Sequence, residues 1–269
     1  MRIKIECPIR KAVTLPINYN YYLTGVIYNF LRQSDQNYAS FLHQEGYRNQ
    51  QKRFKLFTFS QLQAKRRQIK GDQICFQSTV SWYISSPKDE FLTHLAGSLL
   101  AQQQIQLGNQ ELEVSSVSAV KDPDYSPSMK FKCLAPLTMS TKREWQGKDS
   151  TYYCLPQDEE ISALIQQNLE RKYQAIHQLP LAEAKLKVTF DADYIQRRQG
   201  KVTRLVQFKD QSIRGIMCPF QAEGSVELIE LGYQAGFGDK NSFGFGMVEV
   251  IESELVSQSQ VAPTKADQK

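Results

Sequence analysis

Lys121-Asp122-Pro123-Asp124-Tyr125-Ser126-Pro127 crowds two prolines, two aspartates and a serine into seven residues. Proline fixes φ and lacks a backbone N–H, so neither a helix nor a central strand runs through such a stretch. It divides the chain, and what matters next is the order of elements on its two sides. Upstream, Ile3 to Ile9 alternates apolar and polar residues like a half-buried strand. From about Tyr19 to Arg32, Leu23, Val26, Ile27, Phe30 and Leu31 recur at i, i+3, i+4, i+7 and i+8, the spacing of one helix face. Tyr28 falls outside that stripe, on the side of Tyr21 and Gly25. A short helix around Tyr38–His43 follows, then a strand from Phe54 to Ser60 with Phe57 and Phe59 on one face. Two strands (about Gln73–Gln77 and Ser81–Ser85), a helix near Lys88–Gln103 with Phe91, Leu92, Leu95 and Leu99 inward, and a strand around Leu112–Val120 complete this half.

Downstream the order repeats. A strand at Met129–Leu134 leads to a helix over Glu159–His177 with Ile161, Leu164, Ile165, Leu169 and Ile176 inward. Strands at Leu186–Ala192, Val202–Phe208 and Ile213–Phe220 come next, then a short helix near Ser225–Ala235, a glycine-rich loop and a last strand at Gly246–Ile251. Each half reads strand–helix–strand–strand–helix–strand, the ferredoxin-like unit. The halves share no obvious identity, so the repeat is one of architecture. The expected fold is α+β: two tandem ferredoxin-like domains, residues 1–122 and 128–252, with a C-terminal glycine-rich loop. Ser253–Lys269 carries no aromatic residue and reads as a disordered tail.

Composition narrows the class. At 41% apolar and 23% charged over 269 residues, the chain is an ordinary globular protein, neither collagen-like nor a coiled coil. No stretch approaches the roughly 20 apolar residues that span a bilayer. Met-Arg-Ile-Lys-Ile-Glu-Cys at the start places charges where a signal peptide is apolar, so a cytoplasmic protein is expected. Five cysteines, none in a C-x-x-C pair, read as free thiols, and with three histidines they do not outline a structural zinc site. No cofactor or metal is expected.

The net charge is +5, and it is unevenly placed. Residues 48–70 carry eight basic side chains, among them Lys52, Arg53, Lys55, Arg66 and Arg67, with no acidic one and with Phe54, Phe57 and Phe59 interleaved. Residues 197–214 add Arg197, Arg198, Lys201, Arg204, Lys209 and Arg214 against a lone Asp210. Cations beside exposed rings suit a polyanion with bases to stack, hence nucleic acid, and a ferredoxin-like sheet favours RNA.

Gly236-Phe237-Gly238-Asp239-Lys240-Asn241-Ser242-Phe243-Gly244-Phe245-Gly246 has the form G-x-G-x5-G-x-G. It lacks the Gly-Lys-Ser/Thr of a Walker loop, and Asn241 stands where a dinucleotide or kinase loop has its third glycine. Gly236, Gly238, Gly244 and Gly246, with Lys240, are expected to bring backbone close to an RNA strand.

This loop resembles the glycine-rich loop of the RAMP-type CRISPR-associated endoribonucleases that process CRISPR precursor RNA. Pro16-x-Asn18-Tyr19-x-x-Tyr22-Leu23-x-Gly25-x-Ile27-Tyr28 is similar to that family's opening, and so is Lys55-Leu56-Phe57-Thr58-Phe59-Ser60. The resemblance spans roughly residues 1–60 and 225–250, in the right order at opposite ends. It implies a double ferredoxin-like fold, CRISPR repeat RNA as partner, and a tyrosine, a histidine and a lysine at the places of Tyr28, His43 and Lys55. It leaves open a place in a CRISPR effector complex and a homodimer.

Metal-free cleavage of RNA activates a ribose 2′-OH against the adjacent phosphate and needs a base, an acid for the leaving 5′-oxygen and a cation for the phosphorane. His43 is the natural proton carrier near neutrality. Tyrosine's ordinary pKa, about 10, makes Tyr28 the weaker base. Lys55 suits the phosphorane charge, although Lys52 and Arg53 lie close enough to take that role. The expected function is a metal-independent endoribonuclease giving 2′,3′-cyclic phosphate and 5′-OH ends. The rival is a non-catalytic RNA-binding subunit. A metal nuclease built on Asp191 and Asp193 is the weaker third reading. His43-Gln44-Glu45 matches the H-x-E of zinc deaminases, but their P-C-x-x-C is absent. His94 and His177 read as structural.

Overall fold

The computed structural model describes residues 1–251 except Gln51 and Gln146. The expected tail, Ser253–Lys269, lies outside the described residues. In the first half, β1 (Arg2–Cys7), α1 (Asn20–Ser34), α2 (Gln36–Gln44), β2 (Thr58–Phe59), β3 (Val80–Ser85), α3 (Asp89–Gln102) and β4 (Ser116–Val120) form an antiparallel sheet of order β4-β1-β3-β2 with helices packed against it. The alternation of β1 places Ile3 and Ile5 opposite Ile84 and Trp82 of β3. Leu23, Ile27, Phe30 and Leu31 of α1 and Phe91, Leu95 and Leu99 of α3 join them in one core. Asp35 starts α2 by accepting the Tyr38 N–H with its side chain.

In the second half, β5 (Ser128–Cys133), α4 (Ile161–His177), β6 (Leu186–Phe190) and α5 (Ala192–Arg197) come first. A hairpin of β7 (Thr203–Phe208) and β8 (Gln211–Ile216) follows, then β9 (Phe220–Gly224), α6 (Val226–Ala235) and β10 (Val248–Val250). The second sheet has the order β6-β9-β5-β10, the same ferredoxin-like order as the first. The chain is thus α+β with two tandem ferredoxin-like units. Among the described residues no helix is long and apolar enough to cross a membrane, and all five cysteines are free.

Four readings of the sequence need correction. The expected strand Phe54–Ser60 is broken at Leu56, whose φ is 54°. Phe54 and Leu56 enter the second core while Phe57 and Phe59 enter the first, because the chain passes from one domain to the other there. The expected strand Leu112–Val120 is likewise two: Gln110–Glu113 folds back on Gln104–Leu107, and only Ser116–Val120 joins the sheet. Val202–Phe208 and Ile213–Phe220 are not sheet neighbours of β5. β7 and β8 pair with each other outside the sheet, and the third sheet strand is Phe220–Gly224. Finally, Leu164 and Ile176 of α4 are only half-buried, and the buried face includes Asn168 and Lys172.

The domains are joined by polar contacts that fix the glycine-rich loop. Arg2, 1% exposed, lies under the Tyr233 ring with its guanidinium carbon 3.7 Å from the centroid, and it donates to the Tyr233 carbonyl at 3.0 Å. Asn20 of α1 donates to the carbonyls of Phe243 (2.9 Å) and Gly244 (3.2 Å), and Thr58 of β2 donates to that of Phe245 (2.9 Å). Gly244 has a φ of 81°, and a Cβ there would sit 2.4 Å from Phe59 Cε2 and 2.7 Å from Asn20 Nδ2. Gly244→Ala is therefore expected to destabilise the protein by about 1–3 kcal/mol through overpacking, read as a lower urea midpoint with an unchanged slope.

Candidate active site

α1 carries Tyr21, Gly25, Tyr28 and Arg32 at i, i+4, i+7 and i+11, the edge turned away from its core face. Against that edge lie His43 from the last turn of α2, Lys55 from the interdomain crossing, the tip of the β7–β8 hairpin and Ser242–Phe243 of the glycine-rich loop. Together they line a cavity of about 580 Å³, within the ordinary range for ligand sites. The hairpin is held over α1 by the Gln207 N–H donating to Asn18 Oδ1 at 3.0 Å. The ring of Phe208 meets Tyr21 edge-on at 5.7 Å and stacks on Phe243 at 4.1 Å.

The structure brings Tyr28, His43 and Lys55 to this one cavity. The rings of Tyr28 and His43 meet edge to face, 5.4 Å apart at 85°, and Phe57 backs Tyr28 at 6.1 Å. Burial pushes the Tyr28 phenol well above its ordinary pKa, so near neutrality it is a proton donor. His43 is exposed to the cavity. Lys55 donates to the His43 carbonyl at 2.7 Å, and Arg53 to the Gln44 carbonyl at 3.1 Å. These two cations satisfy carbonyls at the C-terminus of α2, the role a terminal histidine ring often fills. Burial, aided by Arg53 and Arg48, pulls Lys55 below its ordinary pKa. An ammonium has three N–H groups, so donation to His43 leaves two for a phosphate.

Of the three cations weighed for the phosphorane, Lys55 alone lines this cavity. Lys52 faces Asp239 at 3.9 Å. With Arg53, Lys55 and Lys240, it lines an adjoining cleft of about 240 Å³. The other basic residues divide between two places. Arg204 donates to Gln61 Oε1 at 2.7 Å and Arg67 to the Leu62 carbonyl at 3.4 Å, so the two basic runs meet there, with Arg66 exposed beside them. Arg197 is exposed at the end of α5. Arg198 lines a groove with Lys132, Lys201 and Tyr194 that the same Arg204 also borders.

Two sequence expectations change here. Phe54, Phe57 and Phe59 are buried and offer no ring to a base; the exposed rings near the site are Tyr21 and Tyr22. The four loop glycines are also buried, so only the stretch from Asp239 to Phe243 between them is open to solvent. Their closeness serves the protein itself: a Cβ on Gly246 would lie 2.0 Å from the Phe237 carbonyl oxygen. The carbonyls of Gly236 and Gly238 accept from the buried Lys172 ammonium at 2.7 and 2.9 Å, and Asn241 Oδ1 accepts at 2.7 Å.

The sequence reading gave no site role to Tyr21, Arg32, Phe243 or Lys172, and it counted Lys209 only within the basic run 197–214. Arg32 was legible, since it stands one turn beyond Tyr28 on the same edge. Lys209 enters the cavity only because the hairpin folds back over α1, which no local pattern shows. Asp191 is used as the N-cap of α5, accepting from the Tyr194 N–H at 2.8 Å, with Asp193 exposed next to it. His94 bonds Ser34 at 2.8 Å, and His177 packs on Tyr173 at 4.1 Å. Among the described residues, one trio has metal-ligand spacing, Cys154, Asp158 and Glu160. Arg143 already pairs with its two carboxylates, and the trio lies away from the cavity.

Comparison with known proteins gives two family matches in tandem. Residues 14–118 match the model described as CRISPR-associated protein Cas6, N-terminal, and residues 120–250 the one described as CRISPR associated protein Cas6, C-terminal. A relative from Methanocaldococcus jannaschii named CRISPR-associated endoribonuclease Cas6 1 is 32% identical over 255 residues, covering 94% of each chain. A structure of a Cas6-related protein from Pyrococcus furiosus superposes with a TM-score of 0.81 at 23% identity, over 94% of this chain and 99% of that one. A second, described as an RAMP protein binding different RNA substrates, gives 0.79 at 23% identity, over 94% of this chain and all of that one.

Proposed function

The chain belongs to the Cas6 family of CRISPR-associated proteins, and from that premise we propose that it cleaves CRISPR repeat RNA by 2′-OH attack in the cavity described above. The observation that carries the reading is the convergence of Tyr28, His43 and Lys55, from three separate segments, on one cavity with Arg32 and Lys209 beside them.

In this mechanism His43 takes the proton of the 2′-OH as the 2′-oxygen bonds to phosphorus. The P–O5′ bond breaks, and the departing 5′-oxygen takes the Tyr28 phenolic proton. The raised pKa of Tyr28 keeps its phenol protonated near neutrality, which supports the acid role for it and the base role for His43. Lys55 meets the charge on the phosphorane oxygens. The products are a 2′,3′-cyclic phosphate and a 5′-OH. No step calls on a metal, and none of the three residues needs one for the task it performs.

The test is incubation with labelled CRISPR repeat RNA in excess EDTA, beside the same RNA carrying a 2′-deoxy sugar at the cut. A single cut in EDTA that the 2′-deoxy sugar abolishes is the expected result. Binding without any cut supports instead the non-catalytic RNA-binding subunit, and a cut lost only to EDTA overturns metal independence.

A further inference from the structure

We propose that a second cavity, across α1 from the catalytic one, is a nucleobase subsite that selects an amino-bearing base against uracil next to the scissile phosphate. The proposal rests on the cleavage site assigned above and extends it to sequence preference. The second cavity, about 380 Å³, shares Tyr21 and Gly25 with the catalytic one and is otherwise bounded chiefly by Tyr22, Asn29, Gln102, Gln104, Gln106 and Glu111.

Gly25 is the passage between them. It is exposed, and a Cβ built on it meets nothing within 4 Å. Tyr21 and Tyr22 rise one turn before it and Tyr28 and Asn29 one turn after, so a strand crossing α1 has its lowest path over this glycine.

The two cavities differ in chemistry. The catalytic one holds three cations, Arg32, Lys55 and Lys209, against one carboxylate, Asp210, a setting for phosphate. The second holds no cation and one carboxylate, Glu111, so an anion is disfavoured there and a base is not. Alternation along Gln104–Leu107 sends Ile105 and Leu107 into the core and leaves Gln104 and Gln106 outward. The Gln102 amide NH₂ is engaged by Gln33, and that of Gln106 donates to the Gly108 carbonyl at 2.8 Å. Each of these NH₂ groups keeps a second N–H, and with Asn29 and Gln104 the amides can both donate and accept, so the Glu111 carboxylate is the one lining side chain that only accepts. A carboxylate among adaptable amides favours a base that brings an exocyclic amine to it, adenine N6, cytosine N4 or guanine N2, and uracil has no such amine. Tyr21 and Tyr22, 46% and 36% exposed, offer ring faces for stacking at the entrance.

The test reads binding, so it does not depend on the chemistry succeeding. Repeat RNA made uncleavable by a 2′-deoxy sugar is titrated with the protein, with each of the three nucleotides on either side of the cut replaced in turn by uridine. The expected result is one position where uridine weakens binding by about 5- to 150-fold, the equivalent of about 1–3 kcal/mol. A Gln106→Ala/Glu111→Ala double variant is expected to abolish that preference while binding the uridine RNA as the unaltered protein does. Gly25→Leu, on an open helix surface where leucine is the better helix former, should keep its melting temperature yet lose the preference. Uniform affinity for all the RNAs, or a Gly25→Leu variant that discriminates normally, overturns the subsite. If the uridine effect is seen here while the all-ribose repeat RNA is not cut in a parallel incubation, the base-binding subsite stands and the cleavage reading fails.

Discussion

His43→Ala is expected to slow single-turnover cleavage of a CRISPR repeat RNA by about 10²–10⁴-fold, the usual contribution of a positioned acid–base group, while the affinity for uncut RNA stays nearly unchanged. The separation follows from what the ring touches. His43 is exposed at the cavity wall, with the Tyr28 edge as its ring contact. The end of α2 is held without it, because Lys55 and Arg53 take the carbonyls of His43 and Gln44, and alanine keeps both carbonyls. The melting temperature should therefore stay put, as for most exposed substitutions. Lys55→Ala is a less clean experiment, since it removes both the charge at the phosphorane and the bond that fixes α2. A His43→Ala protein that cuts at the normal rate removes His43 from the mechanism, whatever Tyr28 and Lys55 then do.

Local periodicity carried the helices well, and for a physical reason. The stripe Leu23, Val26, Ile27, Phe30 and Leu31 faces one core, so its spacing and its burial are the same fact. Phe54 to Phe59 shows where this stops. Alternation tells which side chains are buried but not in which of two cores, and here neighbouring residues enter different ones on either side of Leu56. Strand partners are equally non-local: β7 and β8 look like sheet strands, yet they close on each other and place Lys209 over α1. The basic runs gave the sign of the surface without its rings, which come from Tyr21 and Tyr22 on a helix read mainly for its core. Tyr28, His43 and Lys55 came from residue chemistry joined to a resemblance, and the cavity that collects them needed the folded chain. Lys172 was invisible for the opposite reason, because a lysine on the Ile165–Leu169 face reads as an interruption of a core stripe rather than as its most tightly bonded member.

Lys172→Ala is expected to cost about 3 kcal/mol or more of folding free energy, since each buried acceptor left without a donor costs about 1–3 kcal/mol. The ammonium is 2% exposed, and its three acceptors are the carbonyls of Gly236 and Gly238 and the side chain of Asn241. Alanine would leave all three without that donor, in a loop too close-packed to admit a replacement side chain. The same residue gives the stability a pH dependence of definite sign. Burial pulls its pKa to about 7, against about 10.4 in an unfolded chain. Between those values the unfolded protein holds a proton that the folded one has released, so stability rises with pH across that window, by at most about 1.4 kcal/mol per unit. Below about pH 7 both states are charged and this contribution lies flat at its minimum. Urea unfolding at pH 7, 8 and 9 should show the unaltered protein gaining on Lys172→Met as pH rises. Cleavage should fall with either substitution although Lys172 does not line the catalytic cavity, because the loop it ties down carries Ser242 and Phe243 into that cavity. An unchanged urea midpoint in Lys172→Ala would mean that Asn20 and Thr58 hold the loop unaided, and the lysine would then have no part in shaping the site.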